Sequence, residues 1–247
     1  MSVLRAHALA KSFGGVTALS DVSLEVSEHE LLGVVGPNGS GKTTLVDILS
    51  GLVAPDQGRI EVDGVEMSGR GAAALARRGV ARTFQTARLM EPLSVRDNVM
   101  LGLHTSRQRG RRRRGAAVAA TLDALGIGDL GDRAVRELSH GQRRRVELAR
   151  AVVGTPGVLL LDEPTAGLFG PDALEVAELL VGIARSGVAI VVIEHDLGVI
   201  AATCTRVIVL DSGAVVDQGP TAAVLARPAV ADLAGELGRD RLEDVPA

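Results

Sequence analysis

The chain has 247 residues, of which 46% are apolar and 23% charged, and its 27 basic and 30 acidic side chains leave a net charge of −3. This length is ample for a buried core, and the charge balance argues against a general nucleic-acid coat protein. Three Phe and no Trp or Tyr exclude aromatic base stacking as the main binding device. No apolar run approaches the roughly 20 residues of a membrane span, we expect no signal peptide, and the single Cys204 suits a reducing cytoplasm.

The first third of the chain predicts strands followed by a helix. Residues 19–26 and 30–35 are apolar and β-branched, and a polar turn separates them. The pattern becomes helical over 42–49, and residues 59–62 and 65–67 flank an Asp-Gly hairpin turn. From about 85 to 154 the composition is helical and rich in Arg and Ala.

The remainder predicts a parallel crossover. Strands are predicted at 158–161 and 188–193, with a helix over about 172–185 between them. A second hairpin pairs 207–210 with 214–216, and short helical pieces follow from residue 221. Without an internal repeat, one α/β core with a helical insert is the simplest interpretation.

A glycine-rich segment lies between the strand at 30–35 and the helix at 42–49. It matches the phosphate-loop pattern G-x-x-x-x-G-K-[ST], in which glycines turn backbone N–H groups toward a phosphate and the helix start adds its dipole. Lys42 is suited to the terminal phosphates, and the Thr43 hydroxyl to Mg²⁺. The candidate ATP-binding residues here are Gly36, Pro37, Asn38, Gly39, Ser40, Gly41, Lys42, Thr43 and Thr44.

Two further strand ends carry candidate catalytic groups. The strand at 158–161 ends in Asp162 and Glu163, and ligands of open α/β sheets bind at that edge. We expect Asp162 to hold Mg²⁺ through water and Glu163 to polarise an attacking water; an exposed acidic turn is the alternative. His195 follows the strand at 188–193 and is a candidate donor to the γ-phosphate, although a lone histidine is more often structural.

Taken together, these residues resemble the ATPase subunit of an ABC transporter. The fingerprint of that family is a signature segment, here Leu138 followed by Ser139, His140, Gly141 and Gln142. Ser139 suits a helix N-cap, and apolar residues at 146, 149 and 153 suit a buried stripe of the following helix. The resemblance runs from about residue 3 to 237.

The resemblance implies an α/β P-loop ATPase core with a mainly parallel sheet, an N-terminal antiparallel β subdomain and an inserted α-helical subdomain. It implies one domain over 1–247, with the helical subdomain at about 86–154 and a short helical tail at 221–247. It also implies ATP and Mg²⁺ as cofactors, Gln85 as a Mg²⁺-contacting residue, Phe13 against adenine and His195 as a switch histidine.

The same resemblance implies how the protein works. Two ATPase subunits, identical or paralogous, pair head-to-tail so that the segment from Ser139 to Gln142 acts on ATP bound by the partner. Closure of the pair drives integral-membrane permease subunits at the cytoplasmic face of the cell membrane, and a solute-binding protein takes part indirectly. The Phe-Gly-Gly and Ala-Arg-Thr-Phe-Gln runs (13–15 and 81–85) resemble the branched-chain amino-acid uptake type, which includes amide and urea importers.

Three positions depart from the commonest family pattern. Phe13 stands where an adenine-stacking tyrosine is usual, and its ring face retains stacking of about 1–3 kcal/mol. His140 replaces a signature glycine. Phe169 stands where an aspartate is usual, so the sequence does not decide whether that loop makes the usual contact across the dimer.

Arginines form two runs. Six Arg lie among residues 107–114; lipid headgroups or nucleic acid are conceivable ligands, but a solvated loop is favoured. Arg143, Arg144 and Arg145 follow the signature segment, and we expect them on the solvent-facing side of its helix.

Two other functional classes remain open. One is a soluble ATPase of the same superfamily that acts on DNA or ribosomes, although this chain has neither a long coiled-coil insert nor tandem ATPase units, and no nucleic-acid partner is expected. The other is a regulatory nucleotide-binding module without turnover; Glu163 and His195 argue against it, and Phe169 argues for it.

Overall fold

The computed structural model describes residues 2–83, 89–105, 111–168, 170–228 and 230. Within those residues, no helix is long and apolar enough to span a membrane. The strands are β1 (Ser2–Phe13), β2 (Val16–Ser27), β3 (Leu31–Val35), β4 (Gln57–Val62), β5 (Val65–Glu66), β6 (Val80–Arg82), β7 (Val158–Asp162), β8 (Ala189–Ile193), β9 (Arg206–Asp211) and β10 (Ala214–Pro220). The α-helices are α1 (Lys42–Leu49), α2 (Ala72–Arg77), α3 (Val95–Leu101), α4 (Arg111–Ala124), α5 (His140–Val152), α6 (Pro171–Arg185), α7 (Leu197–Thr203) and α8 (Thr221–Leu225).

Two sheets build the core. The first is antiparallel with the order β2-β1-β4-β5, and the second has the order β10-β9-β3-β8-β7-β6. In the second sheet β3 pairs in parallel with β8 and β9, β7 pairs in parallel with β6 and β8, and β10 pairs antiparallel with β9. The predicted hairpins at 59–67 and 207–216 and the β7–α6–β8 crossover are confirmed.

The central strands are buried on both faces, which explains the high apolar content of a chain with so few aromatic residues. Every residue of β3, β7 and β8 is buried, as a parallel sheet covered on both sides requires. Successive residues alternate between two cores. Leu31 packs with the helices α3 to α6, whereas Leu32 packs with α1 and the antiparallel sheet.

Helices α3, α4 and α5 are inserted between β6 and β7, in agreement with the predicted helical insert. Among the described residues, a 3-10 turn follows α3 at Gly102–Thr105, and two others lie between α4 and α5 at Gly128–Leu130 and Val135–Glu137. Arg111 to Arg114 form the first turn of α4, so the prediction of a loop is wrong for these four residues. Helix formation there leads directly into the Ala-rich stretch, whose helix propensity is high.

The sheet also places the candidate site. Because β3, β7 and β8 run in parallel, their carboxyl ends lie at one edge. The segments beginning at Gly36, Glu163 and Glu194 leave the sheet at that edge.

Candidate active site

The loop between β3 and α1 has backbone conformations that require glycine. Gly36, Gly39 and Gly41 have φ angles of 150°, 78° and 100°. A Cβ on Gly36 would lie 1.9 Å from the carbonyl oxygen of Leu210, and one on Gly41 would lie 2.4 Å from that of Ala18. The loop is therefore wedged between β9 and β2 without room for side chains at these two positions.

The loop fits a phosphate group. The N-cap of α1 is Gly41, which has no side chain to bond the first-turn N–H groups, and that turn contains no acidic residue. The hydroxyl of Ser40 is buried and has no hydrogen-bond partner among the described residues. Unpaired donors at a helix start are an anion site, and Thr43 and Thr44 continue the same turn.

Lys42 folds back across the loop. Its ammonium donates to the carbonyl oxygens of Gly36 at 2.7 Å and Pro37 at 2.8 Å. Burial lowers the pKa of Lys42, whereas the charges of Glu163 and Asp162 oppose that shift. The predicted phosphate-binding cation thus lies in the field of both predicted carboxylates.

Asp162 ends β7 with its carboxylate almost fully buried. Burial raises the pKa of Asp162, and the nearby charge of Arg82 partly offsets this. Arg82 Nη2 lies 3.4 Å from Asp162 Oδ2, and the same guanidinium donates to Asp47 on α1 and to Ser50, the C-cap of that helix. Sequence reasoning missed Arg82, which ties the helix of the phosphate loop to the predicted metal-binding carboxylate.

Glu163 is held in a sparsely populated conformation next to His195. Its φ is 50°, which costs about 1–3 kcal/mol for a residue other than glycine. Its N–H donates to the carbonyl of Ile193 at 3.0 Å, and His195 Nε2 lies 2.7 Å from Glu163 Oε1. The two predicted catalytic residues therefore form a direct pair, which the sequence did not predict.

A second buried carboxylate lies beside this pair. Glu194 Oε1 accepts from the Thr165 N–H at 2.8 Å and from the Thr165 hydroxyl at 2.6 Å, and Oε2 accepts from the His195 N–H at 3.3 Å. Burial raises the pKa of Glu194, and the bonds from Thr165 act in the opposite direction. Glu194 fixes the loop after Glu163 to the end of β8, a role that its position beside His195 at a strand end could have indicated.

The signature segment forms the start of α5. Ser139 is the N-cap and makes a capping box, because its hydroxyl accepts from the Gln142 N–H and its own N–H donates to Gln142 Oε1 at 3.0 Å. Ser139 and His140 are exposed and Gly141 is half-buried. His140 Nε2 also lies 3.2 Å from the carbonyl oxygen of Ala166. The predicted cap is confirmed, and the segment lies against the loop that follows Glu163.

One prediction about α5 is wrong. Val146, Ala149 and Val153 are buried as expected, but Arg144 does not face solvent. Its side chain is 4% exposed, pairs with Glu147 at 2.8 Å and donates to the carbonyl oxygen of Glu163 at 3.1 Å. The face of α5 opposite the apolar stripe packs on the loop after β7, so it is not the solvent-facing side.

Of the remaining residues singled out in the sequence, Phe13 lies within the described part of the chain and the others lie outside it. Phe13 ends β1, is 49% exposed, and has the ammonium of Lys11 5.3 Å from its ring centroid, so its ring remains accessible for the predicted stacking. Gln85 and Phe169, together with residues 106–110 and the tail from 231, lie outside the described residues.

Comparison with known proteins gives consistent matches. The family model for the ABC transporter matches residues 19–166. The high-affinity branched-chain amino acid transport ATP-binding protein BraF of Pseudomonas aeruginosa is 31% identical, over 92% of this chain and 95% of its own. The lipopolysaccharide export system ATP-binding protein LptB of Haemophilus influenzae is 33% identical, over 89% and 91%.

The fold matches as well. A crystal structure of the ADP conformation of an ATP-binding cassette of an ABC transporter superposes with a TM-score of 0.86 at 27% identity, covering 94% of this chain and 98% of that one. The family match spans more than half of the chain and includes the phosphate loop, the signature segment and Glu163. The chain therefore belongs to the ABC transporter family, in which it is an ATP-binding cassette, the ATPase of such transporters.

Proposed function

We propose that the chain is the ATP-hydrolysing subunit of an import complex for branched-chain amino acids or related small solutes. The observation that carries the hydrolytic part is the Glu163–His195 pair, 2.7 Å apart at the sheet edge where Lys42 and Asp162 also lie. The import part is supported by the similarity to BraF. The similarity to an export ATPase makes the direction of transport the first point to test.

In this proposal each residue has one role in the chemistry. Glu163 is the general base that accepts a proton from the attacking water. His195 holds its carboxylate through Nε2 and, once ATP is bound, donates toward the γ-phosphate. Lys42 and the loop N–H groups bind the phosphates, and Phe13 stacks on adenine. Asp162, through water, the Thr43 hydroxyl and Gln85 would hold Mg²⁺, which supplies neutralising positive charge to the phosphate oxygens.

We also propose the assembly that the resemblance implies. Two ATPase subunits, identical or paralogous, pair head-to-tail, and Ser139 to Gln142 of one complete the ATP site of the other. The exposure of Ser139 and His140 supports this arrangement. ATP-driven closure of the pair powers permease subunits, and the ATPase is peripheral at the cytoplasmic membrane face.

We further propose that residues 1–247 form one domain, with the helical subdomain at about 86–154 and the tail at 221–247.

The test is reconstitution of the complex that a tagged chain draws from membranes in mild detergent. We expect it to contain a multi-span membrane protein. In liposomes with ATP on the side of the ATPase, labelled leucine, isoleucine or valine should move toward ATP when a solute-binding protein is supplied on the other side. Movement away from ATP would make the complex an exporter, and a partner set without any membrane protein would contradict the transport role.

A further inference from the structure

The buried arginine of α5 bridges the signature helix and the predicted base of the same subunit. One branch of the Arg144 guanidinium pairs with Glu147, one helical turn on, and the other reaches the backbone of Glu163. Both side chains of the ion pair are at most 4% exposed. The bridge thus lies in the interior and is shielded from solvent.

The contact falls on the peptide group that sets the position of the Glu163 carboxylate. The Glu163 carbonyl oxygen accepts from Arg144 at 3.1 Å and from the Ala166 N–H at 3.1 Å, while the Glu163 N–H is bonded to Ile193. With a φ of 50°, this residue needs its surroundings to hold its conformation. Strand β8 holds one side of the residue, and α5 holds the other.

We propose that Arg144 is a positioning residue for ATP hydrolysis: through the Glu163 carbonyl it fixes the backbone that presents the base to His195. This rests on the proposed role of Glu163. A planar guanidinium suits the task because its rigid fork reaches two acceptors at once, which a lysine ammonium on a flexible stem does less well. Glu147 orients the fork; burial raises the pKa of that carboxyl, and the charge of Arg144 acts in the opposite direction.

The alternative is that Arg144 only neutralises Glu147. The two roles can be separated by the double variant Arg144→Met/Glu147→Leu, since replacing a buried ion pair by apolar residues often leaves stability unchanged. That variant removes the donor to Glu163 without leaving a lone buried charge. Arg144→Lys keeps the charge, and Arg145→Met is the matched control, since Arg145 is the next residue of α5 and pairs with Glu175.

The experiment measures steady-state ATP hydrolysis, equilibrium ATP binding and the melting temperature of the purified full chain, with Glu163→Gln as reference. For the double variant we expect kcat to fall about 10- to 100-fold, the scale of a misplaced catalytic group, with KM and ATP affinity within about twofold of wild type. Arg144→Lys should recover part of kcat, and Arg145→Met should match wild type.

Three results would overturn the proposal. Wild-type kcat in the double variant would mean that the contact to Glu163 has no consequence for hydrolysis. A parallel fall of kcat, ATP affinity and melting temperature, unrelieved in Arg144→Lys, would show a structural role only. Undiminished hydrolysis by Glu163→Gln would show that Glu163 is not the general base, and this would contradict both the proposed function and the role of Arg144.

Discussion

Two glycines of the phosphate loop should respond very differently to the same substitution. A Cβ on Gly36 would lie 1.9 Å from the Leu210 carbonyl oxygen, whereas one on Gly39 would meet nothing within 4 Å. Leu210 cannot retreat easily, because β9 is paired with β3 up to Val35, the residue before Gly36. Gly36→Ala must therefore displace the backbone, whereas Gly39→Ala can be accommodated without such a displacement.

The magnitudes follow from these geometries. Gly39→Ala incurs only the cost of a left-handed alanine at φ 78°, about 1–2 kcal/mol. Gly36→Ala adds overpacking of about 1–3 kcal/mol to backbone strain of about 1–3 kcal/mol, or about 4 kcal/mol at the centre of both ranges. For a chain of this size that corresponds to a melting temperature about 8–16 °C lower, against about 2–8 °C for Gly39→Ala.

The assay is urea unfolding followed by circular dichroism, with ATP binding measured on the folded fraction. We expect Gly36→Ala to have the lower free energy of unfolding and greatly weakened ATP binding, since the loop would leave its wedge between β9 and β2. Equal stability of the two variants would refute the steric reasoning.

Two further substitutions and one thiol-reactivity measurement have defined outcomes. Ser139→Ala removes the capping box of α5 and should lower the free energy of unfolding by about 1 kcal/mol. Arg82→Met removes the partner of the buried Asp162 and should lower the free energy of unfolding by about 3 kcal/mol at pH 7. Burial raises the pKa of Asp162, so ionisation of this carboxyl destabilises the fold as pH rises. The loss of unfolding free energy in the variant should therefore be smaller near pH 4. Burial raises the pKa of the Cys204 thiol from 9.0 to about 12, so the native protein should resist thiol reagents at pH 8. Because the folded state disfavours the thiolate, the contribution of the buried neutral thiol to the free energy of unfolding should be lost as pH rises from about 9 to about 12.

Each of these has a direct check. Chemical denaturation of Ser139→Ala should be compared with Ser186→Ala, whose hydroxyl bonds only a carbonyl at the end of α6; equal losses would contradict the cap. A loss for Arg82→Met that does not change with pH would contradict the role of Asp162. Reaction of native Cys204 at the rate of a free thiol would contradict its burial, and the sequence contains no other cysteine to confuse the measurement.

The sequence predicts most of the architecture because local patterns and tertiary structure agree. The buried strands β3, β7 and β8 are continuous apolar runs, and the turns at 63–64 and 211–213 have residues that favour tight turns. The phosphate loop and the capping box are likewise local, since the groups that interact lie within a few residues of each other. Such features are readable from sequence alone.

The pairings across the site are not readable in this way. Three consecutive arginines follow the signature segment, and a helix points successive residues about 100° apart. Arg144 lies opposite the apolar stripe, which suggests solvent for an isolated helix, yet the loop after β7 covers that face. The contacts of Arg82 with Asp162 and of Glu194 with Thr165 also join distant segments, so only the fold reveals them.

The most direct test of the account is single-turnover hydrolysis of labelled ATP by Glu163→Gln. If Glu163 is the base held by His195 at 2.7 Å, the variant should bind ATP with wild-type affinity, accumulate as an ATP-bound dimer and hydrolyse about 10²- to 10⁴-fold more slowly. Wild-type hydrolysis rates in this variant would contradict the assignment of Glu163 as the base.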